Sequence, residues 1–144
     1  NSVLGPGGVA VFNVNGNALF QSNLVQSMTI NLNGASTVVI NVAGTNINYN
    51  GGNMVGGFNV PNASKIIWNF FEATNLSINR SFFGAILAPN ATLTNSTAIE
   101  GSVFTDTFIQ DGEVHLPNFN GNIPAPSALA LAGLGMVVAT RRRR

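Results

Sequence analysis

Apolar residues alternate with polar or small ones in short runs along the first half of the chain: Val9, Val11 and Phe12, then Met28, Ile30 and Leu32, then Val38, Ile40 and Val42, and Ile47 with Tyr49. A period of two is that of a β-strand, whose successive side chains point to opposite faces. Asn15-Gly16, Asn33-Gly34 and Asn50-Gly51-Gly52 lie between the runs. Asn and Gly supply the positive φ angles that tight turns require. Beyond Ser64 the pattern continues through residues 65–70, 76–78, 85–88, 91–94 and 101–104. Short strands at roughly even spacing, with no helical segments between them, predict an all-β domain. Its expected form is a right-handed β-helix or β-solenoid, each circuit taking about 20 to 29 residues and contributing two or three strands. A β-sandwich is the alternative. The stretch Asn17 to Gln26 suits a short helix or a buried strand about equally.

Asparagine occurs in pairs spaced by two: Asn13 and Asn15, Asn31 and Asn33, Asn46 and Asn48, Asn118 and Asn120. Such pairs mark strand ends, and Asn amides can stack in ladders between successive strands. Trp68 is large enough to anchor a core, and Phe70 follows two residues later on the same strand face. In the segment from Gly84 to Thr92, small residues would let neighbouring circuits approach. Ile86 and Leu87 supply apolar area there, and Pro89-Asn90 is placed to turn a corner.

Composition narrows the functions available. With 144 residues there is room for one domain. The formal charge of +1 misleads, because four of the six basic residues are Arg141, Arg142, Arg143 and Arg144. The body keeps Lys65 and Arg80 against Glu72, Glu100, Asp106, Asp111 and Glu113. A sparsely charged, weakly acidic body has no basic stripe to neutralise phosphates, so no nucleic-acid partner is expected. There is no cysteine and only one histidine. Thiolate metal sites are thereby excluded, and the expected protein is not an enzyme and has no catalytic residue, metal site or cofactor. Glu113 and His115 share a strand face and are expected to form a structural pair near the end of the domain. Five Asn-x-Ser/Thr sequons, at Asn62, Asn75, Asn79, Asn90 and Asn95, are what a chain rich in these residues produces by chance.

Four segments then occur in order: Trp68 to Phe70, Gly84 to Thr92, Glu100 to Phe104, and Asp111 to His115 with Phe119 following. They resemble the choice-of-anchor A family, bacterial surface domains related to the ice-binding-like adhesin fold. The resemblance runs from about Val9 to Asn120. It implies an exported adhesive module whose ligand is an extracellular polymer, a polysaccharide or a collagen-like protein. Members of that family carry a further amino-terminal portion, so such a part is expected to be missing here. A stack open at its end would expose unpaired strand edges, and poor solubility of the isolated fragment follows.

The end of the chain has its own grammar. Pro124, Ala125 and Pro126 precede an apolar run, Ala128 to Ala139, and the four arginines close it. This resembles the PEP-CTERM sorting signal read by exosortase-type membrane proteases, with Ala125 standing where that motif has Glu. Ser127 to Thr140 would span about 21 Å as a helix, short of a hydrocarbon core of about 30 Å. Arginines after an apolar segment stay cytoplasmic, which puts the β domain outside. A permanent single-span anchor is the rival. The expected organisation is a β-solenoid domain over 1–117, a linker with the sorting motif over 118–126, a short hydrophobic helix over 127–140 and a basic stop over 141–144. The expected protein is held transiently in the inner membrane and then lies at the cell surface or outside the cell.

Two Thr-x-Thr rows, Thr92 with Thr94 and Thr105 with Thr107, are the candidate ligand-binding positions. Strict alternation compromises the second row. With both threonines in water, Phe104, Asp106 and Phe108 would point inward together, burying an unpaired carboxylate at a cost of several kcal/mol. An ice-binding protein and a purely structural coat or matrix component are therefore alternatives to the adhesin.

Overall fold

Twelve strands and one short helix carry the computed structural model, which describes residues 6–21 and 25–122. The strands are β1 (Val9–Asn15), β2 (Ser27–Ile30), β3 (Thr37–Ala43), β4 (Asn46–Tyr49), β5 (Asn53–Gly56), β6 (Ile66–Asn69), β7 (Asn75–Ile78), β8 (Phe82–Phe83), β9 (Ala85–Asn95), β10 (Ile99–Glu100), β11 (Val103–Gln110) and β12 (Val114–His115). The hydrophobic helix expected over 127–140, the motif Pro124 to Pro126 and the terminal arginines lie outside the described residues.

All the strand pairings are parallel, and each joins a strand to one from the next circuit of the chain. One wall stacks β1, β3, β6, the first half of β9 and the first half of β11. A second stacks β4, β7 and the remaining halves of β9 and β11. A third holds β2 on β5, with β8, β10 and β12 below. The product is an all-β, solenoid-like curled parallel sheet. The sandwich alternative falls because that architecture pairs its strands antiparallel.

Stacking puts like residues above one another. Asn13, Asn41 and Asn69 stand 28 residues apart, and each amide donates to the one before it at 2.9 Å. Later circuits are shorter: Ser96 meets Asn79 across 17 residues and His115 meets Glu100 across 15. The early circuits are longer because they include the Asn33-Gly34 turn, with φ of 46° and 81°, and α1 (Val60–Ala63). Asn59 caps α1 by accepting a hydrogen bond from the Asn62 N–H, and Pro61 sits in the first turn, where its missing N–H costs nothing. Asn17–Gln21 forms a single wide helical turn and buries Phe20.

Inside, Ile40, Trp68 and Ile86 form one buried column, with Phe12 and Val103 at its less covered ends. Trp68 is 1% exposed and Phe70 is fully buried, as the aromatic spacing predicts. Trp68 stacks on Phe58 at 5.8 Å between ring centroids, lies 5.6 Å from Phe20 and 5.4 Å from Phe82, and donates from Nε1 to the Phe83 carbonyl at 3.0 Å. Glycine is needed where circuits touch. A Cβ on Gly101 would meet the carbonyl of Gly84, one circuit earlier.

Candidate functional site

The second wall is the most regular polar surface of the fold. On β4, β7 and β9 the alternate positions Ile47, Tyr49, Leu76, Ile78 and Leu93 go inward, so their neighbours go outward. Two outward columns result: Asn46, Asn75, Thr92 and Thr107, beside Asn48, Ser77, Thr94 and Ile109. Successive rungs lie about 4.8 Å apart and the two columns about 7 Å apart. Asn75 Nδ2 donates to Asn46 Oδ1 at 2.8 Å. At the wall's margin Asn79 Nδ2 donates to Asn48 Oδ1 at 2.7 Å, and Asn79 Oδ1 accepts from Ser96 Oγ at 2.9 Å. These bonds link the amides from rung to rung.

Thr92, Thr94 and Thr107 belong to this surface, and Thr105 does not. The β9–β11 register shifts between Thr105 and Thr107, which breaks the alternation that compromised this row. Thr105 turns toward the chain and donates to the Ala91 carbonyl, Asp106 stays exposed, and Phe108 goes inward. Among the described residues no carboxylate is buried, and Phe104, 64% exposed, faces out. The bulge has no local signature. Neither do the columns, whose members come from four separate circuits.

Beside the wall is a polar cleft of about 600 Å³ lined by Asn50, Asn53, Asn79, Arg80, Ser81 and Thr97 among others. Arg80 donates from Nε to the Asn50 carbonyl and from Nη1 to Asn53 Oδ1, both at 2.9 Å. The turn between β4 and β5 thus fixes the guanidinium.

The last circuit closes with a clasp. His115 reaches Glu113, as its spacing on β12 predicts, and also Glu100 on β10: Nε2 to Glu113 Oε2 is 2.9 Å and Nδ1 to Glu100 Oε1 is 2.8 Å. The pairing of β10 with β12 brings Glu100 in, and spacing along the chain could not. The hydrogen bond to Glu100, then that to Glu113, raises the His115 pKa above its ordinary 6.5. A raised folded-state value stabilises below pH 6.5, and the contribution is lost as pH rises through the folded value. Proton NMR of the chain's single histidine should therefore give a pKa above 6.5, with amide exchange in β12 quickening as the ring deprotonates. A ring titrating at or below 6.5 would mean that the clasp does not form in solution. Among the described residues no group of three or more His, Cys, Asp or Glu side chains is placed to hold a metal ion, and no helix is long and apolar enough to cross a membrane.

After Pro117 the chain turns back along the corner where the first-wall strands begin. Phe119 N–H donates to Ser102 Oγ at 3.2 Å and Asn120 N–H to the Ser64 carbonyl at 2.8 Å, while Gly121 packs on Thr37. A stacked parallel β domain with a polar wall, leading directly into a sorting tail, defines the class: an exported surface domain. The family described as "Putative Ice-binding-like adhesive domain" matches residues 1–116, and the PEP-CTERM protein-sorting motif matches residues 122–144. The chain belongs to this adhesive-domain family and ends in a sorting signal that an exosortase processes. It is exported, anchored transiently in a membrane, and then found at the cell surface or outside the cell. No curated protein and no solved structure matches the chain.

Proposed function

We propose that the protein is a non-catalytic adhesin that binds a hydroxyl-rich extracellular polymer, a polysaccharide, along its second wall. The carrying observation is the double column of Asn46, Asn75, Thr92 and Thr107 beside Asn48, Ser77 and Thr94. Amides donate and accept, and so do hydroxyls, so a flat mixture of both can follow the alternating donors and acceptors of a sugar chain. The fixed Arg80 at the margin adds a cation for acidic sugars. A surface selective for ice would repeat one group at one spacing, whereas here Asn, Ser, Thr and Ile are mixed along the columns. The non-catalytic reading is supported by the one histidine, which lies between two carboxylates on the last circuit, away from the cleft.

In this proposal the domain is a right-handed β-helix over 1–117, the hand that parallel crossovers adopt almost without exception. Its linker and sorting motif occupy 118–126, a short helix 127–140 and a basic stop 141–144. The four ordered motifs favour the choice-of-anchor A branch. The test is retention of the full chain on immobilised neutral and acidic polysaccharides. Thr92→Val with Thr94→Val removes two outward hydroxyls without changing shape, and at about 0.5 to 1.5 kcal/mol per hydrogen bond should weaken binding about tenfold. Unchanged retention by this variant would remove the wall from the site. Arrest of ice-crystal growth without polymer retention would favour the ice-binding alternative, and assembly without any ligand the structural coat.

A further inference from the structure

A guanidinium without an anion stands where the second wall ends. The parallel pairing of β4, β7 and β9 runs on past the strands themselves, because Asn79 N–H donates to the Tyr49 carbonyl at 3.0 Å and Ser96 N–H to that of Ile78 at 2.9 Å. Asn50, Asn79 and Ser96 therefore stand in one column at the wall's edge, and Arg80 is the first residue beyond it. Its Nε and Nη1 are held by the Asn50 carbonyl and Asn53 Oδ1. A guanidinium has five N–H groups, so three remain, two of them on Nη2. Among the described residues no carboxylate pairs with Arg80. Glu100, brought beside Phe83 by the pairing of β8 with β10, is turned to His115 at 2.8 Å.

The cleft around Arg80, about 600 Å³, has the size of a small-molecule site. Its lining joins two chemistries: Met54 and the half-buried Phe83 are apolar, whereas Asn50, Asn53, Asn79 and Ser81 are polar. Thr97, also in the lining, has a buried hydroxyl with no partner of its own, the kind of group that a bound molecule can satisfy. A sugar ring presents C–H groups on its faces and hydroxyls around its edge, and a uronic acid adds one carboxylate. Phe83 suits the ring face, the amides suit the hydroxyls, and a guanidinium takes a carboxylate through two parallel N–H···O bonds. Because Asn50 and Asn53 already hold Arg80 in place, little further ordering is needed when the anion arrives. The wall's own columns are built of Asn, Ser, Thr and Ile and carry no charge with which to tell an acidic polymer from a neutral one.

We propose that this cleft is the subsite for one uronic acid residue of the bound polysaccharide, with its carboxylate on the open N–H groups of Arg80 and its ring against Phe83. Discrimination between acidic and neutral polymers then sits in the cleft and not on the wall. The polymer as a whole rests on the adhesin reading above, but a single sugar tests the cleft alone. The probe is the methyl glycoside of galacturonic acid, and its methyl ester serves as the uncharged counterpart of the same shape. The full chain in detergent micelles would be titrated with each and followed by NMR of the arginine Nε–H signals. The acid should bind at least tenfold more tightly than the ester. Arg80→Gln should bind the two alike, and Arg80→Lys, which keeps the charge and loses the planar fork, should bind the acid at least threefold more weakly than the native chain. Thr92→Val with Thr94→Val should leave binding of the acid unchanged; if that variant also retains whole polysaccharide as before, the wall reading falls and the subsite stands. Equal binding of acid and ester by the native chain, a preference for the acid that survives Arg80→Gln, native affinity in Arg80→Lys, or no saturable shift with either sugar would each overturn the proposal.

Discussion

Trp68→Ala should cost about 3 to 5 kcal/mol and lower the Tm by at least about 12 °C. Trp68 is where three circuits meet: Phe20 from the first, Phe58 from the second and Phe82 from its own all lie within 6 Å of its ring. Removing the indole opens a cavity that none of these rings can fill without leaving its own neighbours, since Phe20 also packs on Tyr49 at 5.0 Å and Phe82 on Tyr49 at 6.0 Å. It also strips the Phe83 carbonyl of its donor. Trp68→Phe keeps most of the volume and loses the hydrogen bond, so about 1 to 2 kcal/mol is expected. Urea titration followed by circular dichroism checks both. A loss below about 1 kcal/mol for the alanine variant would mean that the aromatic column is not the centre of the core. A domain of this size holds only about 5 to 15 kcal/mol in all, so the alanine variant should also accumulate less in the cell.

What local chemistry dictates was legible in the sequence. The period-two runs became strands, Asn33-Gly34 became a turn with both φ angles positive, and Pro89-Asn90 became the exposed bend of β9. Trp68 and Phe70 went inside because no other place in so short a chain could cover them. What depends on the length of each circuit was not legible. Circuits of 28, 17 and 15 residues decide which side chains stack, and that length is set by excursions such as α1 that carry no repeat of their own. This is why Glu113 with His115 could be anticipated and Glu100 could not. The same holds for the wall: Thr92 and Thr94 stood out as a row, but Asn46, Asn75, Asn48 and Ser77 join them only through register. Thr105 left the row because the strand bulged at Asp106, a response to burial that a strictly alternating pattern cannot contain.

Replacing Arg141, Arg142, Arg143 and Arg144 together by Gln should abolish retention in the membrane, the largest effect on localisation available from any four residues. The apolar run contains three leucines and two glycines among Ala128 to Ala139, and at about 18 Å as a helix it is too short to hold a span by itself. Each arginine near an anionic leaflet contributes about 1 kcal/mol, so four supply about 4 kcal/mol, a factor of about a thousand in partitioning. Snorkelling of their long stems also extends the span toward the thickness it lacks. Without them the chain should pass through and leave the cell with residues 123–144 still attached, because it no longer pauses where the exosortase acts. Intact mass separates the outcomes: the native chain should end near Pro124 to Pro126 in the surface fraction, and the variant should keep its full tail in the medium. Ala125→Glu restores the usual acidic residue of the motif and should increase the cleaved fraction of the otherwise native chain. If the glutamine variant is cleaved as completely as the native chain, retention rests on the apolar run alone and the arginines only set its direction.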